Sequence, residues 1–406
     1  MMQRVLKNKW QEQWISATLI LLIAGLMVSR ALLSLASVAM IIPFFSLYRQ
    51  QPLKKPVLLG IGLILFPVLI SGFWSEDKNE WWNSISLKIP LLTMMLGLSV
   101  TRLTKQRWLQ IACIYIIIIT LGCCWSLLQY ANNSKTIEAA YLQAKIFSTP
   151  ADNDYIRFSW MVVLAVVLAI KCLAEQTDKK IKFLLSLLAV FLVVYLHLLA
   201  SRTGLLCLYT CSLLYLFQLI FHQKKWKTAL VFVSVMFAMG MFAYKTLPTL
   251  HNRVQYIMFD FSNYSKGDFL PGYTDGSRLL SLKAGYDITQ AHPLTGVGFG
   301  DVRKAIHQWH ENEHPTSFAW ERFLPSDEWL VYGAGSGWPG LLSFTAGILL
   351  LLYASTSKNI ISVLLSVVAL IPFITDDSLE GQYGVVILAF IAFFGQQNSQ
   401  HQTNTI

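Results

Sequence analysis

LHLLASRTGLL, Leu196–Leu206, sets one arginine between two nearly unbroken apolar runs. An isolated charge at the centre of a bilayer costs several kcal/mol. Arg202 therefore lies at a membrane surface or beside an anion, and the segments around it decide which. The chain of 406 residues is 55% hydrophobic and only 13% charged, with mean hydropathy +0.51. A soluble domain is nearer a quarter charged, so the composition excludes a soluble enzyme and indicates an all-α, polytopic integral membrane protein.

Segments of roughly 20 residues span a bilayer as helices. That length predicts about 12 transmembrane helices, near 14–29, 31–48, 56–73, 86–101, 107–129, 158–174, 181–200, 204–221, 227–244, 336–354, 359–375 and 382–395. The first two meet at Ser29-Arg30, where a re-entrant hairpin is an alternative. Charges inside these spans are nearly absent. The apolar run after the basic start lacks a small-residue cleavage site and reads as an uncleaved first span.

The formal net charge of +10 does not indicate nucleic acid, because the basic residues fall in short clusters between apolar segments. Arg4, Lys7 and Lys9 precede the first span; Arg49, Lys54 and Lys55 follow the second; Arg102, Lys105 and Arg107 follow the fourth. Lys171, Lys179, Lys180 and Lys182 flank the turn after the sixth, Lys224, Lys225 and Lys227 follow the eighth, and Lys358 follows the tenth. By the positive-inside rule these ends face the cytoplasm. The Ser201-Arg202-Thr203-Gly204 corner then faces outward, as does a long loop. Three regions follow: 1–244 with nine spans, a loop region 245–335, and 336–406 with three spans and a tail. A loop of this length holds helices of its own. Asp275-Gly276-Ser277 and Pro325-Ser326 offer N-caps within it.

The outer side also carries the candidate chemistry. Arg157 opens the sixth span, Arg202 closes the seventh, Arg278 opens a loop helix, and Asp376, Asp377 and Glu380 precede the last span. Each alone reads most simply as a surface or snorkelling charge. Convergent arginines would instead grip a phosphate in bidentate forks. GVGFG (Gly296–Gly300) lacks the strand and spacing of a dinucleotide fingerprint. It reads as a turn before a helix at 301–309, with N–H groups that could help hold an anion. GAGSGWPG (Gly333–Gly340) reads as a flexible, closely packed lead into the tenth span, with a substrate hinge as the alternative. His307, His310 and His314 in HQWHENEH share roughly one helix face, read as solvated rather than as a metal site. Cys113, Cys123, Cys124, Cys172, Cys207 and Cys211 read as small core hydrophobes.

Three stretches resemble the O-antigen ligase and polymerase superfamily: SRTG (Ser201–Gly204), SRLLSLKAGYDITQAHPLTGVGFGDV (Ser277–Val302) and LPSDEWLVYGAGSGWPGLL (Leu324–Leu342). YIRFSW (Tyr155–Trp160) and DDSLEGQYG (Asp376–Gly384) are weaker matches. The resemblance implies a GT-C-like bundle with a large helical periplasmic loop before the tenth span, in the bacterial inner (cytoplasmic) membrane. It implies transfer of a glycan from undecaprenyl pyrophosphate to lipid A–core, to a growing glycan or to a protein hydroxyl, with no metal and no cofactor. Arg202 and Arg278 would bind the donor pyrophosphate, with Arg157 a third candidate. Where the ligases usually carry histidine, this sequence reads Ser326-Asp327-Glu328-Trp329-Leu330. Ser326 is not a base by itself, so Asp327, Glu328, Glu380 or His314 is left to activate the acceptor, or no strong base is used. A lipid-linked glycan transporter is the rival from another class. It is disfavoured because no inverted repeat is visible and the polar groups gather in one outer loop.

Overall fold

The computed structural model describes residues 2–47, 55–101, 103–142, 146–265, 274–355 and 359–403. Arg49, Lys54, Arg102 and Lys358, used above for orientation, lie outside the described residues. The described residues form helices and turns with no strand. In chain order the helices are α1 Met2–Val28, α2 Arg30–Ala39, α3 Ile42–Leu47, α4 Lys55–Ile70, α5 Lys78–Ser99, α6 Lys105–Asn132, α7 Ser134–Tyr141, α8 Tyr155–Glu175, α9 Lys179–Leu199, α10 Arg202–Phe217, α11 Trp226–Thr246, α12 Pro248–Ser265, α13 Thr274–Ala291, α14 Val302–Glu313, α15 Glu328–Ser355, α16 Ile360–Thr375 and α17 Gln382–Thr403.

Seven of the twelve expected spans correspond to helices long and apolar enough to cross a membrane: Lys55–Phe73, Lys105–Asn132, Tyr155–Glu175, Lys179–Leu199, Arg202–His222, Trp226–Thr246 and Glu328–Ala354. Three more correspond to shorter apolar helices, Glu12–Val28, Arg30–Phe45 and Ile360–Thr375. The remaining two expected spans fall on α5 and α17, which are helical throughout. At Ser29 the chain turns back, and Gly25 lets Leu33 of α2 approach α1.

The packing is apolar at the centre and apolar again on the outer surface. α8 is apolar on all sides, and every residue from Phe158 to Ala169 is buried; a helix of that kind belongs in the middle of a bundle. On α17 Val385–Phe394 is likewise buried. The outer helices turn apolar side chains away from the bundle. Phe183, Leu187 and Val190 of α9 and Val231, Val235 and Phe237 of α11 are all exposed. Faces that apolar suit hydrocarbon, not water. The chain is thus a multi-pass membrane protein.

One pairing shapes the bundle end that carries the site. α4 and α15 meet where Gly60 and Gly347 face each other with no room for a Cβ on either, as small residues allow inside membranes. Tyr332 donates to Ile64 O at 3.0 Å and Ser343 to Leu63 O at 2.7 Å, which fixes the register. α15 then breaks at Ser336 and Gly337, where Gly337 has φ 66°. GAGSGWPG is therefore a break inside a helix rather than a lead from a loop, and residues 328–335 are helical. The carbonyls freed by the break accept from the GVGFG turn: Val297 N–H to Ala334 O at 2.8 Å and Gly298 N–H to Gly335 O at 3.1 Å. Trp338 N–H returns a bond to Pro293 O at 2.9 Å.

Candidate active site

The SRTG corner is built by three local devices. Ala200 adopts a left-handed conformation, φ 50°, and ends α9. Ser201 Oγ donates to Ser159 Oγ of α8 at 2.9 Å. Gly204 lies against that same Ser159, where a side chain would collide. Thr375 of α16 adds a hydroxyl bond to Thr203 at 3.2 Å. With α8, α10 and α16 locked together, Arg202 is held at the very start of α10. Its guanidinium pairs with Asp275. α13 begins at Thr274, so Asp275 lies in its first turn rather than before it, and the N-cap reading of Asp275-Gly276-Ser277 is corrected.

Two further guanidinium groups join it. Arg278, one turn along α13, donates from Nη1 to Thr375 O at 3.0 Å, and its Nη2 lies 3.9 Å from Asp376 Oδ1. Arg253 of α12 is 4% exposed and sits 5.5 Å from the Tyr256 ring centroid. Its Nε and Nη1 find no hydrogen-bond partner among the described residues. Burial pushes its pKa down, and Arg278 adds to the effect against the nearby tyrosines Tyr155, Tyr256 and Tyr141. Arg202 is close enough to Arg253 and Arg278 to feel both charges. Asp260 closes the rim by accepting from Asp275 N at 2.7 Å and Gly276 N at 3.3 Å. The sequence reading missed Arg253. The available signal was its spacing on one helix face with Tyr256 and Asp260, at i+3 and i+7.

Arg157 has different surroundings. Its Nη1 bonds Asp154 Oδ2 at 2.9 Å, and its Nη2 donates to Asp377 O at 2.8 Å and lies 3.4 Å from Asp376 Oδ2. Asp376 thus stands between Arg157 and Arg278. Burial pushes the Asp377 carboxyl up to about 8, helped by Asp376, and raises Asp376 as well. The turn before α8 carries three successive left-handed residues, Ala151, Asp152 and Asn153, with φ 61°, 56° and 64°. Asp152 is held there by Arg30 at 2.7 Å and by the Tyr383 hydroxyl at 3.2 Å.

The residues proposed to activate an acceptor all have partners in the fold. Ser326 is buried and exchanges hydrogen bonds with Ser281, its N–H donating to Ser281 Oγ at 3.1 Å. Asp327 caps α15 by accepting from Leu330 N at 3.0 Å, which moves the cap from Pro325-Ser326 to Asp327. Glu328 is fully buried and accepts from Leu379 N at 2.9 Å. Glu380 pairs with Lys88 Nζ at 2.5 Å. Lys88, the charge inside the expected span 86–101, and Glu328, at the start of α15, are both 0% exposed.

Two other expectations change. The GVGFG amides are engaged within the protein. Besides the α15 bonds, Phe299 N donates to Ser71 Oγ and Gly300 N to Ser75 Oγ, which leaves little for an anion. The histidine face of α14 is not wholly solvated. His310 is fully buried and its pKa falls to about 4, by burial and then by neighbouring His314 and Arg322. Among the described residues no three His, Cys, Asp or Glu side chains gather as metal ligands would.

Residues 187–345 match the family model described as O-antigen ligase. No curated protein matches the chain. The matched stretch runs from mid-α9 to mid-α15 and contains Arg202, Arg253, Asp275 and Arg278.

Proposed function

We propose, starting from the match of residues 187–345 to the O-antigen ligase family model, that the chain moves a glycan from undecaprenyl pyrophosphate to an acceptor hydroxyl at the outer face of the bacterial inner membrane. Lipid A–core is the acceptor we favour. A growing glycan or a protein hydroxyl are the alternatives within the same chemistry. The loop region up to residue 327 and the outer turns would then face the periplasm, with residues 328–335 part of α15, and donor lipid would reach the site from the membrane.

The observation that carries this reading is the convergence of Arg202, Arg253 and Arg278, with Arg253 buried and two of its nitrogens unpartnered among the described residues. Desolvating a cation costs several kcal/mol unless a counter-ion repays it. Here the carboxylate that faces Arg202 is Asp275. A pyrophosphate offers more negative charge and the oxygen geometry that guanidinium forks match. Its binding displaces Asp275 from Arg202. As the anomeric C–O bond breaks, charge grows on the pyrophosphate, and cations already fixed in place stabilise that charge without reorganising. The acceptor hydroxyl attacks from the opposite side, which inverts the anomeric centre. We assign its deprotonation to the displaced Asp275 rather than to Ser326, Asp327 or Glu380, which are engaged within the fold, or to Glu328, which is fully buried. Arg157, already surrounded by Asp154, Asp376 and Asp377, positions Asp376 and does not bind donor.

Complementation of a deletion strain tests the assignment. Arg253→Ala, Arg202→Ala and Arg278→Ala should each leave lipid-linked glycan unligated, with rates down on the order of 10²–10³-fold. Full glycan transfer in all three would overturn the reading. The glycan profile also separates acceptors. Long unligated chains indicate a ligase, single repeats on lipid A–core a polymerase, and loss from proteins alone a protein glycosyltransferase. The buried Lys88–Glu380 pair is the kind of intramembrane charge a transporter uses. Movement of lipid-linked glycan across vesicles without a new glycosidic bond would favour that rival.

A further inference from the structure

The three buried charges beneath the arginine site have no part in the chemistry above, yet they touch the turn that organises it. Lys88 lies ten residues into α5, about 15 Å along the helix from its start. Its Nζ is 2.5 Å from Glu380 Oε1, with side-chain exposures of 1% and 6%. The same ammonium lies 5.5 Å from the Phe299 ring centroid in the GVGFG turn. Glu328 lies close to both Glu380 and Lys88, and its Oε1 finds no hydrogen-bond partner among the described residues. Its other oxygen accepts from Leu379 N, so Glu328 holds the residue next to Glu380. One cation and two carboxylates in the protein interior form an expensive arrangement, and apolar side chains would fill the space more cheaply.

What the arrangement achieves is visible one turn back. Residues 376–380 are gripped at one end by Lys88 and Glu328, and at the other by Arg157 and Arg278 through Asp376 and Asp377. Thr375, at the start of the turn, gives its carbonyl to Arg278. Gly381, at the far end, packs against the Arg157 guanidinium. The turn has no long helix of its own to stiffen it, only the short helical turn Ser378–Glu380. Ser378 and Leu379 are buried and Ser378 Oγ donates to Pro372 O at 3.2 Å, so packing seats the middle of the turn while the ionic contacts hold its two ends.

We propose that Lys88 is a positioning residue of the donor site: by holding Glu380 it fixes the 376–381 turn, and through Asp376 it sets where the Arg278 guanidinium sits. The inference rests on the donor reading above but concerns a residue outside the matched stretch 187–345. Lys88 touches neither donor nor acceptor. Its loss displaces Arg278 rather than removing a charge from the site.

The test uses full-length protein in detergent with undecaprenyl-pyrophosphate glycan and acceptor. Lys88→Met should raise KM for the donor at least tenfold, while kcat falls much less. Lys88→Arg, which keeps the cation, should recover most of the loss. Lys88→Met alone leaves two buried carboxylates without a cation and could fail to accumulate. The double variant Lys88→Met/Glu380→Met leaves one buried carboxylate, Glu328, and so the same net charge as the wild-type cluster. It should accumulate normally and still show the raised donor KM, because the turn is no longer held. Wild-type kinetics in either folded variant would overturn the proposal, as would a loss confined to protein amount. If wild-type protein itself transfers no glycan from this donor, the donor reading has failed. If it transfers and the Lys88 variants match it, only the positioning role has failed.

Discussion

At the scale of single residues, Arg202 and Arg278 stood out as candidates because each lies inside a recognisable stretch, SRTG or the Ser277–Val302 segment, with Arg202 opening α10 and Arg278 one turn into α13. Arg253 was not. It sits mid-helix in a polar segment, and only the folding of α12 against α9 and α7 brings it to the others. The absence of histidine at Ser326 was legible too, whereas the pairing of Asp275 with Arg202 was not, because the sequence assigned Asp275 to capping. Two predictions belong here. Arg202→Lys keeps the charge and loses the fork, so donor kcat/KM should fall at least tenfold while the protein still folds, as kinetics alongside thermal unfolding would show. Asp377 has a pKa raised to about 8 by burial and by Asp376. A carboxyl with a raised folded-state pKa favours the fold when protonated. Its contribution is complete below its unfolded value near 3.9 and is lost as pH climbs through about 8. Unfolding temperature should therefore drop between pH 5 and pH 9, and Asp377→Asn should flatten that dependence.

At the scale of elements, the instructive case is α15. Glycines at 333, 335, 337 and 340 with Pro339 read as irregular chain, which is what such composition means without tertiary context. The structure makes a helix on both sides of a break, because the freed carbonyls of Ala334 and Gly335 find donors in a turn some forty residues earlier in sequence. Hydrogen bonds between distant segments leave no local periodicity to read. GVGFG and GAGSGWPG are one structural unit, and each was read separately. Gly337 holds φ 66° and ψ −167°, a conformation essentially restricted to glycine, and an added Cβ would meet Pro293 O and Leu294 C. Gly337→Ala should cost about 1–3 kcal/mol from the backbone conformation alone, and more from the collision. Thermal unfolding should fall by several degrees, and transfer should fall with it, since the kink sets the line from Glu328 to the 376–381 turn.

For the whole molecule, apolar runs announced the bundle reliably because each must satisfy its backbone internally and bury or expose an apolar face as lipid requires. They did not reveal which helices are central. α8 and α11 are both apolar, yet α8 is enclosed and α11 is almost wholly exposed, a difference set by neighbours rather than by composition. Nor did they reveal that Lys88 is buried against Glu380, a partner brought by the turn between α16 and α17. The orientation expected from the basic turns is testable directly. In a cysteine-free background, Lys304→Cys on α14 should react with a membrane-impermeant thiol reagent in cells with a permeable outer membrane. Lys179→Cys, at the start of α9, should react only after lysis.

The measurement closest to the central claim is single-turnover transfer by the purified protein from undecaprenyl-pyrophosphate glycan, comparing wild type with Arg253→Ala. The arginine site predicts a new glycosidic bond and released undecaprenyl pyrophosphate with wild type, and a loss on the order of 100-fold in the variant. Bond formation at the wild-type rate in Arg253→Ala would contradict it.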